Sequence, residues 1–515
     1  MTKLVTAFLL GTTLLSATAC NKKRSDGSGA VEYRIGQDQT APTGSVMMGS
    51  AAATTEAMET TTGEGYKDHG KNPWVAASKD HLSTFAADVD TASYTLARRK
   101  LNEGSLPIPA GVRVEEFVNY FGYTFPEPNS NTPFSVVIDA APSPVSPGRH
   151  ILRVGVATKA KAKSERKPAN LVFLVDVSGS MQSADKLGLA KASLRILTEN
   201  LTEGDSVSLV TYAGSTRVVL EPTRDKARIL DALEELTAGG STGMGSGLDL
   251  AYKQAVRGLQ PGTISRVIVL SDGDANVGAH THEEILSIIA GRVKEGVTLS
   301  TIGFGTGNYK DAMMEQLADK GNGNSFYIDS LAAARKVFQE QLGSTLEVVA
   351  KDAKLQVDFD PAMVSRYRLV GYENRDLADH DFRNDRVDAG EIGAGHQVTA
   401  LYEIELTEQG KQTSAPIATV RTRHKLPEGD KAIEGAFPMI GGAAASFKAA
   451  SQYLQFAFAA AAFADILRGG ADAEHWSLAD IRDVAKAASG DFEDRRELVG
   501  LIEQAMTLKG RHAQR

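Results

Sequence analysis

The residues in this chain best equipped for chemistry are two carboxylates set among hydroxyls. Asp176-Val177-Ser178-Gly179-Ser180-Met181 follows an apolar run at 171–175, Ser271-Asp272-Gly273-Asp274 follows another at 267–270, and the turn Gly239-Gly240-Ser241-Thr242-Gly243 lies between them in the chain. Two carboxylates brought close together disfavour each other's ionised form unless a cation lies between them. Their companions are hydroxyls with no His or Cys, so the donor set is hard oxygen and suits Mg2+ or Mn2+, with Ca2+ also admitted, better than zinc. Helix capping by Asp176 and Ser178 is the plainer use of the first motif, but it leaves Asp272 and Thr242 unexplained.

A site of this kind needs elements that bring the three segments together. Between 170 and 349, buried strand patterns at 171–175, 206–212, 218–220, 267–270, 298–303 and 325–328 alternate with amphipathic helices, one carrying Leu187, Ala190, Leu194, Leu197 and Leu201, another Leu331, Ala334, Phe338, Leu342 and Leu346. Alternation of this kind predicts a mostly parallel sheet covered on both faces, an α/β fold. Only Ala213-Gly214-Ser215 separates the second and third strands, too little for a crossover helix, so these two form a hairpin with an antiparallel edge. In a doubly wound, Rossmann-like sheet of order 3-2-1-4-5-6, strands one and four are neighbours and ligands sit beyond their carboxyl ends. All three motifs then meet in one crevice.

Asp-x-Ser-x-Ser at Asp176, Ser178 and Ser180, with Thr242 and the Asp of Ser-Asp-Gly at Asp272, resembles the metal-ion-dependent adhesion site of von Willebrand factor type A domains. The resemblance implies a type A domain over 168–349. It further implies direct metal ligation by the hydroxyls of Ser178 and Ser180, with Thr242 joining directly or through water. Asp176 and Asp272 would act mainly through bound waters or hydrogen bonds, and one coordination position would be left for a carboxylate from a protein partner. A wider resemblance, to the bacterial YfbK-type lipoproteins, is carried by Ser83-Thr84-Phe85 with Asp88-Val89-Asp90-Thr91-Ala92-Ser93-Tyr94, Leu101-Asn102-Glu103-Gly104, Glu115-Glu116-Phe117-Val118-Asn119-Tyr120-Phe121 and Asp272-Gly273-Asp274-Ala275-Asn276-Val277-Gly278. In that family a specific N-terminal region precedes the type A domain and a further region follows it.

The flanks sort by composition. Residues 1–19 have a short basic start, an apolar stretch at 4–15 and a small-residue cleavage site, which reads as an export signal; the stretch falls short of the ~20 residues that span a bilayer. Cys20 is the only cysteine, so no intramolecular disulfide or Cys-based zinc site exists, and Leu15-Ser16-Ala17-Thr18-Ala19-Cys20 resembles a bacterial lipobox apart from Ala17, where Leu is more usual. That resemblance implies a lipidated Cys20 and an exported protein anchored at the cell membrane or envelope. Residues 20–72 carry almost no large aliphatic side chains and read as a flexible tether. Helical patterns fill 73–130 and 440–510, where Ser477-Leu478-Ala479-Asp480 forms a capping box. Strand patterns fill 131–160 and 350–428, and the two strand segments are expected to build one sandwich interrupted by the type A domain.

The rest of the chemistry is thin. A chain of 515 residues with 56 Lys+Arg, 64 Asp+Glu and a net charge of −8 lacks the basic face of a nucleic-acid binder. Asp88-Val89-Asp90-Thr91 imitates the start of haloacid-dehalogenase-type phosphatases, but Phe85-Ala86-Ala87 is too weak a buried strand to support that reading, and Asp90-Thr91 serves as a helix cap. His280-Thr281-His282 reads as a solvated loop, and Gly303-Phe304-Gly305-Thr306-Gly307 lacks the helix start and acidic residue of a dinucleotide loop. The sequence favours a non-enzymatic binding module. The alternative, a Mg2+-dependent phosphate-handling enzyme using Asp176, is weakened by Ser178, which stands where such phosphatases place their second Asp.

Overall fold

The eight successive residues of β5 (Ala169–Asp176) are all buried, and they alternate between two cores. Leu171, Phe173 and Val175 pack into one, Val172 and Leu174 into the other, as expected for a central strand with helices on both faces. The computed structural model to which these elements belong describes Tyr66 and residues 68–513, apart from 88–89, 129–131, 242, 274–281, 307–308, 342–345, 388 and 471–476. The export signal, Cys20 and most of the tether lie outside the described residues, as do Asp88-Val89, Thr242 and His280-Thr281.

Around β5, the strands β6 (Ser206–Tyr212), β7 (Thr216–Thr223), β8 (Ile264–Ser271), β9 (Val297–Gly303) and β10 (Ser325–Tyr327) form a six-stranded sheet of order β10-β9-β8-β5-β6-β7. All pairings are parallel except β6 with β7, the hairpin edge. The strand order and the α/β class are those the sequence implies.

The other strands make two antiparallel sheets. The first runs β1 (Val75–Ala76), β12 (Val364–Val370), β15 (Gln397–Leu406), β4 (Arg149–Thr158), β3 (Phe134–Pro142). The second runs β13 (Asp376–Leu377), β2 (Leu82–Ala86), β11 (Val348–Phe359), β16 (Ala418–Lys425), β17 (Ala432–Pro438), with β14 (Ile392–Gly393) also on β11. One core, including Leu152, Val154 and Val156 from the first sheet and Leu355, Val357 and Val420 from the second, lies between them. β4 pairs with β15 from Ala157↔Gln397 to Arg149↔Glu405, so the chain leaves this module after β4, builds the α/β domain and returns at β11.

Three expectations are corrected. The segment at 85–87 is not too poor for a strand: Leu82–Ala86 pairs with β11 from Asp358↔Leu82 to Lys354↔Ala86, with Phe85 buried on Tyr372 at 5.0 Å between ring centroids. Strand pairing supplies what local composition lacks. Asp90 does not cap the following helix; its carboxylate accepts from the Ser325 N–H at 2.8 Å and pairs with Arg375 at 2.7 Å, joining three parts of the chain. The strand-rich region extends through Pro438, because β17 adds an edge strand paired along β16, with Ile433, Glu434, Ala436 and Pro438 exposed.

The helix Gln452–Leu467 is apolar all round, and it is buried rather than membrane-spanning. Phe456 meets Phe121 at 4.9 Å, and the helix shares a core with Val114, Phe117 and Leu498, so the N- and C-terminal helical regions fold together. Among the described residues no helix is long and apolar enough to cross a membrane. Ser477 and Asp480 cap the next helix reciprocally.

Candidate metal centre

The parallel register of β5 with β8 sets Val175 beside Leu270, so Asp176 and Ser271 end neighbouring strands and Asp272 follows at once. Both carboxylates are fully buried. One Asp176 oxygen accepts from the Ser178 N–H at 2.8 Å and the other from the Ser271 hydroxyl at 3.1 Å, which fixes the carboxylate in plane. Burial pushes the Asp176 carboxyl above the usual range, the bonds from Ser178 and Ser271 pull it back, and the charge on Asp272 adds to the rise.

Ser178 and Ser180 place their hydroxyl oxygens 3.0 Å apart. Ser178 stands at the start of the short 3-10 turn Gly179–Gln182, yet its side chain caps no backbone N–H there. The capping explanation therefore does not account for it; its hydroxyl is paired with that of Ser180 and lies beside Asp176. The Gly239-Gly240 turn is bonded to the same loop, with Gly239 N–H donating to the Val177 carbonyl at 2.7 Å and Gly179 N–H to the Gly240 carbonyl at 3.0 Å. That carries the chain to within two residues of Thr242 at the loop; Thr242 itself lies outside the described residues. Gly273 turns the chain after Asp272 with φ of +79°, and a Cβ there would stand 2.5 Å from the Lys310 nitrogen, so only glycine fits.

Three contributors were not anticipated. Ser271 orients Asp176. Tyr212, opposite Asp176 in the β5–β6 register, is fully buried, and its hydroxyl lies close to Asp176 and Ser271. Lys186, just beyond the Ser180 loop, reaches Asp272 with its ammonium at 2.8 Å. Tyr212 ended a recognised strand and Ser271 opened the motif after another, and their register beside Asp176 was the available signal. Lys186 carried none, since a lysine in an amphipathic stretch reads as solvated.

The residues present fit a divalent cation: two buried carboxylates and the Ser178 and Ser180 hydroxyls supply hard oxygen donors, with the Lys186 ammonium on Asp272 as the one nitrogen in the crevice. Among the described residues no three His, Cys, Asp or Glu side chains gather as a metal centre, here or elsewhere, so the site rests on two carboxylates and the hydroxyls beside them.

Comparison with known proteins identifies the family. Residues 170–340 match the profile described as von Willebrand factor type A domain, 60–153 one described as von Willebrand factor, and 344–508 one described as uncharacterized protein YfbK, C-terminal. The chain is 39% identical over 467 residues to the uncharacterized protein YfbK of Escherichia coli (strain K12), covering 85% of this chain and 80% of that protein. An uncharacterized protein of Synechocystis sp. is 29% identical over 232 residues, 44% of this chain and 54% of that one. Among solved structures, a von Willebrand factor type A protein from Catenulispora acidiphila aligns over 72% of this chain and 89% of its own, with 18% identity and a TM-score of 0.42. The similarity to YfbK covers 85% of this chain, and the chain belongs to the YfbK family of proteins built around a von Willebrand factor type A domain.

Proposed function

We propose that this protein is a lipid-anchored envelope protein whose type A domain holds a divalent cation at Asp176, Ser178, Ser180, Thr242 and Asp272 and uses it to capture an acidic group of a protein partner. The observation that carries the reading is the Ser178–Ser180 hydroxyl pair, 3.0 Å apart and not spent on capping, beside two fully buried carboxylates at adjoining strand ends. Ser178 and Ser180 would hold Mg2+ or Mn2+ directly, and Asp176 and Asp272 would balance its charge. A bound ion would supply Lewis acidity and an open coordination position for a carboxylate. The chain's part is to keep two oxygens of each kind in place and to exclude bulk water from the carboxylates. Membership of the type A class supports protein interaction as the role rather than catalysis.

The test is capture of a partner from envelope extract by the immobilised chain. Capture in Mg2+ that fails in EDTA and returns on adding Mg2+ is the expected result; equal capture in EDTA would remove the cation from the mechanism. Anchoring is tested separately. Cys20 is the only thiol and begins the proposed mature chain, and two or more acyl chains give stable attachment. Cys20→Ser should therefore move the protein from the membrane pellet to the soluble exported fraction, and a variant that still sediments after a salt wash would exclude the lipid anchor.

A further inference from the structure

Lys186 lies in the turn Ala184–Gly188 that leads from the Ser178–Ser180 loop into the helix Leu189–Asn200. Its side chain is only 12% exposed, and its ammonium meets an oxygen of the fully buried Asp272 at 2.8 Å. Burying a lysine is costly unless it is paired, so this contact is a built arrangement rather than a surface encounter.

The surroundings hold the lysine on that path. Gly305, with φ of +71°, passes so close to its aliphatic stem that a Cβ would stand 2.3 Å from the Lys186 Cε. The Gly305 carbonyl accepts from the Tyr327 hydroxyl at 2.5 Å. Arg99, from the N-terminal helix Ala92–Asn102, donates to Tyr327 at 3.2 Å and pairs with Asp185, the residue before Lys186, at 2.5 Å. Both sides of the lysine are therefore fastened.

Asp176 and Asp272 together carry two negative charges in a buried crevice, and the Lys186 ammonium supplies one positive charge from within the chain. A divalent ion entering the same crevice meets that charge at short range, where water screens it weakly. Resting on the metal reading given above, we propose that Lys186 is a tethered counter-cation of Asp272 that keeps the two-carboxylate site assembled without metal and opposes the entry of one. The site would be tuned toward exchangeable rather than permanent metal, with the excess positive charge of the loaded state favouring an anionic partner group.

The test is calorimetric titration of Mn2+ into the full chain and into Lys186→Met, which keeps the length and removes the charge. The variant should bind Mn2+ at least ~10-fold more tightly, an effect of the size that partners around a metal ligand commonly exert. Lys186→Gln, which can still donate to Asp272 and so guards against a misfolded Met variant, should shift in the same direction. A merely structural lysine would give the opposite sign, because its loss would loosen Asp272. Equal or weaker Mn2+ binding by folded variants, judged by circular dichroism, would overturn this inference and leave the metal reading standing. No Mn2+ binding by the wild-type chain or either variant would overturn the metal reading and this inference with it.

Discussion

Replacing Ser178 and Ser180 together with Ala should abolish Mn2+ or Mg2+ binding, measured by calorimetry, while the far-ultraviolet circular dichroism is unchanged. The two hydroxyls lie 3.0 Å apart and are the proposed direct ligands. Losing both should exceed the ~10 to 100-fold that removal of one outer partner of a metal site typically costs. The fold should tolerate the change, since each substitution removes one oxygen and the bond between them is worth only about 1 kcal/mol net. Asp176 also keeps its bond from the Ser178 backbone N–H, so the loop retains its path. A double variant binding Mn2+ at wild-type strength would mean that the ion, if bound, sits elsewhere.

The site's frame was legible in the sequence because its determinants are local. An apolar run ending in Asp-x-Ser-x-Ser, and a second ending in Ser-Asp-Gly, state both the strand and what stands at its carboxyl end. The three-residue link between β6 and β7 set the hairpin, and the strand–helix alternation pointed to the doubly wound order 3-2-1-4-5-6 that the sheet adopts. What escaped reading depends on partners far away in the chain. Phe85 is buried because β11, some 270 residues on, pairs beside it. Asp90 is spent on Ser325 and Arg375, not on its own helix. Lys186 precedes a stripe of Leu187, Ala190 and Leu194, where charge ordinarily marks the wet face, and only the packed position of Asp272 shows that it points inward.

The largest effect on stability is expected from Arg113→Met. Arg113 is buried, and its guanidinium pairs with Glu116 on its own segment and with Asp311 of the α/β domain at 2.6 Å. Glu315 of the same domain lies 3.9 Å from it and 3.5 Å from Arg375 of the β module, which in turn holds Asp90. With Asp319 3.9 Å from Arg375, five carboxylates thus share two guanidinium groups where three parts of the chain meet. Removing one partner of a buried ion pair leaves an uncompensated charge and costs ~3 to 5 kcal/mol, whereas an exposed pair would cost little. The loss should depend on pH with a definite sign. Burial raises the Glu116 carboxyl from its ordinary 4.5 to about 7, with Arg113 opposing the rise and Glu315 and Asp311 adding to it, and burial raises Asp311 as well. The folded state therefore binds more protons than the unfolded chain, and its stability falls as pH climbs from the ordinary carboxylate range to about 7. Without Arg113 both carboxyls rise further, so the deficit of the variant should be largest above neutrality and narrow toward pH ~5, where protonation removes the stranded charge. Urea unfolding of both proteins at the two pH values reads this directly. A variant with the wild-type midpoint at neutral pH would show that the cluster does not hold the N-terminal region against the type A domain; a deficit that widened on acidification would assign the loss to packing rather than to charge.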